Sequence, residues 1–188
     1  MICARISANY RAEQAKLHET KTYGTASINY APLVTQIIDK LEITHLLDYG
    51  CGSQCNLGKH IKPKAKLTYQ AFDPCVEEFA GDPVPAQLVC CIDVLEHIEP
   101  EYLDNVLDHL ASLTEAVAFL TIHTGPAFKT LSDGRNAHLI QEPMEWWLPK
   151  IMQRFHVQTV QVTNEHAFYV IGHPRTRLEA KDGSKLIA

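Results

Sequence analysis

The sequence predicts an α/β domain built as a three-layer sandwich: a mostly parallel sheet covered by helices on both faces, closed at its C-terminal edge by an antiparallel hairpin. Three observations carry this. Short apolar runs alternate with segments of helical periodicity along most of the chain. The last two apolar runs are separated by only a turn, which is hairpin distance. Finally, 188 residues with 46% hydrophobic content suffice for one well-buried core, whereas a second full domain would be cramped.

Residues 1–30 read as an irregular or helical lead-in, and residues 31–174 as the domain itself. "APLVTQIIDKLEI" places Leu33, Val34, Ile37, Ile38 and Leu41 on one helical face. "HLLDYG" is a short buried strand, "NLGKHIK" a brief helix, and "LTYQAFDP" a second strand ending at Asp73 and Pro74. "EEFAGDPVPAQ" is dense in turn formers, so a third strand there is at most a stub and the sheet is trimmed at that edge. "QLVCCIDVLEHI" starts as a fourth strand and passes into a helix marked by Leu103, Val106, Leu107 and Leu110. "AVAFLTIHT" is the fifth strand, and a long polar loop leads to "MEWWLPKIMQRF", a helix that Pro149 interrupts or starts. "HVQTVQVTN" alternates as a half-exposed strand and "HAFYVIGH" returns beside it. Residues 175–188 are a charged tail expected to fray.

Composition narrows the function classes. Seventeen basic against twenty-two acidic residues give a formal charge of −5, so no global positive field points to nucleic acid or a membrane surface. The start of the chain lacks the apolar core of a signal peptide, and no apolar run approaches membrane-spanning length. The expectation is a soluble, cytoplasmic protein. Its six cysteines show no repeated C-x-x-C pair and are read as reduced, with Cys90 and Cys91 acting as small hydrophobes inside a strand.

The stretch "LLDYGCGSQCNLGKHI" sets an apolar run and a carboxylate against Gly50 and Gly52, with a short helix behind. In an open parallel sheet, ligands sit beyond the carboxyl ends of the strands, and a side-chain-free turn lets a ligand approach the main chain. Asp73, about twenty residues later at the end of the second strand, suits a ribose diol. The turn therefore reads as a nucleoside site. A dinucleotide turn prefers a third glycine where this chain has Cys55, which weakens a dehydrogenase reading. The plainer alternatives are turn residues for Asp48 and Asp73, to which the ligand reading is preferred, and a helix start for Glu96 and His97, which is preferred there.

Taken in order, "LLDYGCG", "YQAFDP" and "LVCCIDVLEHI", with the terminal hairpin, resemble the class I S-adenosylmethionine-dependent methyltransferases across roughly residues 20–172. The resemblance implies a Rossmann-like sandwich with a seven-stranded-type sheet, here shortened around the third strand. It implies S-adenosylmethionine as cofactor, with Gly50, Cys51 and Gly52 against its methionyl part and Asp73 and Pro74 at the ribose. Asp48 would orient the amino group, and Asp93 and Val94 would flank the sulfonium. Tyr23 and Gly24 in "TYGTAS" resemble the lead-in that covers the cofactor in some members, and Asp82 is a candidate for the adenine end.

Methyl transfer from a sulfonium is an in-line displacement, so the protein contributes alignment, a dry site and a base for the acceptor. His123, just past the fifth strand, and His138 in the next loop are the candidate catalytic histidines. Asp133, Arg135, Asn136 and Trp146 in the same connection are candidate substrate contacts, although bulky aromatics on a helix mostly bury area and core packing is the first expectation for both Trp146 and Trp147. The acceptor expected is a small or medium-sized polar molecule methylated on O or N. Asp93, Glu96 and His97 lie where some quinone-pathway and small-RNA methyltransferases hold a divalent metal, so a metal-assisted O-methyltransferase is an alternative. An RNA methyltransferase and a catalytically inactive cofactor-binding protein are the others.

Overall fold

Residues 4–19 and 24–175 are described by the computed structural model, and the elements below belong to them. Two helices, α1 (Ala8–His18) and α2 (Ala26–Lys40), precede β1 (His45–Tyr49), α3 (Asn56–His60) and β2 (Thr68–Phe72). Then come β3 (Ala86–Ile92), α4 (Leu103–Leu113), β4 (Thr114–His123), α5 (Met144–Met152), β5 (Phe155–Asn164) and β6 (Ala167–Pro174). The sheet order is β2-β1-β3-β4-β6-β5, parallel from β2 to β4 and antiparallel across β6 and β5.

Alternation along the strands builds two cores, because successive side chains in a strand point to opposite faces. Leu46, Leu88, Cys90 and Phe119 pack with Val34 and Ile38 of α2 and Leu57 of α3. Leu47, Val89, Cys91 and Leu120 pack with Leu107 and Leu110 of α4 and Trp147 of α5. Cys90 and Cys91 are thus both sealed from solvent, one on each face. The five described cysteines are free thiols.

The third-strand stub does not form. Glu77–Phe79 makes a single 3-10 turn and the chain next enters the sheet at Ala86, leaving six strands with β2 at the edge. Pro83 and Pro85 have no N–H to offer a ladder and Gly81 disfavours extension, so nothing in this stretch sustains strand pairing. Likewise, α5 begins at Met144, behind Pro143, and carries Pro149 within it. One lost helical hydrogen bond is tolerated because Trp147 and Ile151 are fully buried beneath it.

α1 is held by polar contacts. Ser7 caps it, its hydroxyl accepting from the Tyr10 N–H, and also donates its own N–H and O–H to the two carboxylate oxygens of Glu99 at 2.8 and 2.6 Å. The Tyr10 hydroxyl donates to the carbonyl of His97 at 2.5 Å and accepts from Gln14 Nε2. Tyr10→Phe is therefore expected to lose about 1 kcal/mol of stability, the usual worth of a buried hydrogen bond. Urea denaturation of the variant against the parent checks it, and equal midpoints would show the hydroxyl to be idle.

Candidate active site

The sheet order reverses at β1, whose neighbours are β2 and β3, and the carboxyl ends of these strands open into a cavity of about 840 Å³. That volume falls among small-molecule sites, which span roughly 300–1,000 Å³. The turn after β1 forms its floor. Gly50 and Gly52 have φ of 80° and 63°, a region open to glycine and strained for other residues. Gly50 has a second reason to lack a side chain, since a Cβ there would lie 2.4 Å from Val94 Cγ2. Val94 follows the end of β3 and lines the same cavity, with Asp93 beside it.

Two buried carboxylates face this floor. Asp48, on β1, accepts the Tyr69 hydroxyl at Oδ2 (2.6 Å). Burial, opposed by that hydrogen bond, pushes its pKa up to about 7. Asp73, just past β2, accepts the Gly52 N–H at Oδ2 (3.0 Å) and the Cys75 N–H at Oδ1 (2.9 Å), tying the two strand ends together. The His18 imidazole of α1 lies 3.6 Å from Asp73 Oδ2 and packs over Gly52. Burial lowers the pKa of His18, against the pull of the Asp73 carboxylate. Cys51, Pro74, Asp82 and Gly24 also line the cavity, as do Tyr10 and Gln14 of α1. Tyr23 lies outside the described residues.

Histidines line the far end. His97, His123 and His138 all face the cavity, with ring centroids 4.6 Å apart for His97–His138 and 5.1 Å for His123–His138. Burial lowers His97 to about 3 and lowers His138 as well, favouring the neutral form of both rings. Glu96 is fully buried behind them, and Asp93 takes the hydroxyl proton of Thr121 as a hydrogen bond at Oδ1.

Four of the sequence candidates stand elsewhere. Asp133 and Arg135 are exposed at the tip of their loop, paired with each other at 2.6 Å, and Arg135 reaches back over the Tyr10 ring. Asn136 is a loop brace, bonded through its side chain to both the N–H and the carbonyl of Ala127. Trp146 packs against Trp147 and carries the Lys150 ammonium over its ring. None of the four lines the cavity: the three loop residues turn onto each other, onto Ala127 or over Tyr10 of α1, and Trp146 packs within α5.

A family described as a methyltransferase domain matches residues 16–173. The chain belongs to the class I S-adenosylmethionine-dependent methyltransferase family. No curated protein matches its sequence. Solved structures similar to it include the Burkholderia thailandensis 1,6-didemethyltoxoflavin-N1-methyltransferase with bound 1,6-didemethyltoxoflavin and S-adenosylhomocysteine, at 13% identity and TM-score 0.62, covering 93% of this chain and 94% of that one. The DhpI complex with SAH follows at 15% identity and TM-score 0.59, covering 90% and 95%. Mitomycin 7-O-methyltransferase MmcR is similar at 14% identity and TM-score 0.61, covering 89% of this chain and 60% of that one. The chain likewise spans 58% of the length of TnmH. At these identities the likeness is one of fold.

Within this methyltransferase, Asp48 links stability to pH. Its folded pKa is raised above the unfolded carboxylate value of about 3.9, so the folded state holds a proton that the unfolded state gives up. The stability this proton confers is present below the unfolded pKa and lost as pH rises through about 7. Asp48→Asn keeps an acceptor for Tyr69 and does not titrate. Its melting temperature relative to the parent is expected to rise between about pH 5 and about pH 8. Parallel curves for the two proteins would place the carboxylate in a solvated setting instead.

Sequence reasoning missed His18, Tyr10 and Gln14, which line the cavity from α1. No spacing signal singles them out, since α1 shows no apolar stripe to fix its docking face. Among the described residues no helix is long and apolar enough to cross a membrane.

Proposed function

We propose that the chain transfers a methyl group from S-adenosylmethionine to an oxygen or nitrogen of a small or medium-sized polar acceptor, in the cytoplasm. The observation that carries the reading is the pair of buried carboxylates, Asp48 and Asp73, set at the ends of adjacent parallel strands on either side of the glycine turn and facing one cavity. A ligand with an ammonium group at one end and a ribose diol at the other fits that pair of acceptors, and the side chains of Ile92 and Val94 line the same cavity from the end of β3. Gly50, Cys51 and Gly52 would receive its methionyl part, Pro74 and Asp82 its nucleoside side, and Tyr23 and Gly24 would lie over it. When bound, the cofactor supplies an electrophilic methyl carbon whose bond to sulfur breaks, with the electron pair kept on sulfur, as the bond to the acceptor forms.

The chain's own residues would align and dry the site. Val94 and Asp93 stand beside the floor of the cavity, and His123 lines its acceptor end, where it would take the acceptor's proton. Calorimetry with S-adenosylmethionine and with its demethylated product, followed by turnover over a panel of hydroxyl and amine acceptors, tests the reading. Micromolar binding of both with turnover of an acceptor class is the expected result. Binding without turnover over the whole panel would favour a cofactor-binding protein that does no chemistry, and no binding would overturn the assignment.

A further inference from the structure

We propose that Phe128 and Lys129 form an acceptor-recognition subsite at the mouth of the cavity, and that the acceptor is an aromatic ring compound bearing a carboxylate, its ring on the Phe128 face and its carboxylate against the Lys129 ammonium. The inference rests on the methyltransferase reading and narrows its acceptor class.

The first observation is the placement of an aromatic ring. Phe128 is 108% exposed, the most exposed large apolar side chain among the described residues. Leu41, Val84, Met152, Val160 and Val162 are also exposed, but none of them lines the cavity, whereas Phe128 does. A scattered surface apolar residue needs no explanation. A bare phenyl ring at the mouth of a ligand cavity offers a flat ligand a face to stack on.

The ring is also carried on a braced main chain. On one side of Phe128, Ala127 has both its N–H and its carbonyl bonded to the Asn136 side chain, each at 2.9 Å. On the other side, the Lys129 carbonyl accepts the Ala137 N–H at 3.0 Å. Thr130 and Asn136 pair as an antiparallel bridge, and Leu131 and Ala137 are buried with Tyr10 of α1. Such a platform is set before a ligand arrives, which lowers the ordering cost of binding. Asn136, expected from the sequence to touch substrate, thus stands behind the subsite and holds its backbone.

Charge supplies the second half of the ligand. Lys129 is partly buried and lines the same cavity, and among the described residues no ion pair engages it. Two arginines line the cavity as well. Arg5 is held by Asp82 at 3.0 Å, and Arg11 stands with Pro74 and Cys75, on the side given to the nucleoside under the proposed function. The cavity carboxylates are engaged too: Asp48 by Tyr69, Asp73 by the Gly52 and Cys75 N–H groups, and Asp93 by Thr121. A single ammonium matches a monoanion such as a carboxylate, whereas a phosphate dianion draws a cluster of cations or an arginine fork. His123 and the buried His138 line the cavity further in, so a ring resting at the mouth presents its hydroxyl or amine to them.

The test uses the full chain saturated with S-adenosylhomocysteine and titrated calorimetrically with three probes. These are 6-hydroxy-2-naphthoate, the uncharged 2-naphthol, and the non-aromatic 4-hydroxycyclohexanecarboxylate. The naphthoate is expected to bind about tenfold or more tightly than either counterpart. Phe128→Ala should weaken both naphthalene probes about tenfold and leave the cyclohexane acid unchanged. Lys129→Met should weaken both acids about three- to tenfold and leave 2-naphthol unchanged. In the parent protein, ring-current shifts of the Phe128 resonances on adding the naphthoate give a readout that needs no variant. A naphthoate no tighter than its counterparts, either variant binding it as the parent does, or unmoved Phe128 resonances would overturn the subsite. Calorimetry with S-adenosylmethionine on the same sample separates the two readings: retained cofactor binding without the naphthoate preference removes the subsite and leaves the methyltransferase assignment intact.

Discussion

Gly50→Ala is expected to lose about 3 kcal/mol of stability and most cofactor affinity. Two costs combine. A non-glycine residue at φ 80° is strained by about 1–2 kcal/mol. The new Cβ would also stand 2.4 Å from Val94 Cγ2 and 3.0 Å from Cγ1, and a β-branched valine is restricted in the rotamers it can move to. Overpacking of this kind costs roughly 1–3 kcal/mol. The double variant Gly50→Ala/Val94→Ala separates the contributions: it should recover the overlap and keep the backbone strain. Urea melts of parent, singles and double close the cycle. A single Gly50→Ala variant as stable as the parent would mean that the turn and the end of β3 are not in the contact described.

Asp73→Ala is the second large effect. Under the proposed function the carboxylate serves a ribose, and it already accepts the N–H groups of Gly52 and Cys75. Its removal takes away a ligand partner and unpins the turn at once. Loss of charge-assisted hydrogen bonds amounts to about 1.5–3 kcal/mol, or roughly ten- to hundredfold in cofactor affinity. Asp73→Asn retains one acceptor oxygen and should fall between. Calorimetry with S-adenosylmethionine reads both, and unchanged affinity in the alanine variant would remove Asp73 from the cofactor site.

Much of the layered architecture was legible in the chain because the signals are local. Leu46 and Leu47, or Cys90 and Cys91, announce strands buried on both faces, and Leu103, Val106, Leu107 and Leu110 announce the face of α4. Gly50, Gly52 and Asp73 were legible for the same reason, since each sits at a strand end that the periodicity marks. What escaped depends on the path of long connections. Glu96 and His97 are adjacent in sequence, but their meeting with His138 is decided by a loop whose main chain, through Gly125 O and Ala137 O, also orients the rings. Asp133 and Arg135 looked like substrate contacts by residue type; two residues apart, they satisfy each other instead. Trp146 and Trp147 are indistinguishable by composition, and the helical phase of α5 alone decides that Trp147 is sealed in the core.

One consequence follows from the way α1 roofs the cavity. Its ties include Ser7 to Glu99, Tyr10 to the His97 carbonyl, Glu13 to Ser132, Ser53 to the His18 carbonyl and the His18 imidazole beside Asp73, with a small apolar cluster around Tyr10, Leu131 and Ala137 beneath. Water can replace such ties one for one, whereas peeling α2 or α4 away would expose a core. The roof is thus expected to open at lower cost than the sheet melts, and because His18 stands 3.6 Å from Asp73, a guest at that carboxylate would have to displace the imidazole.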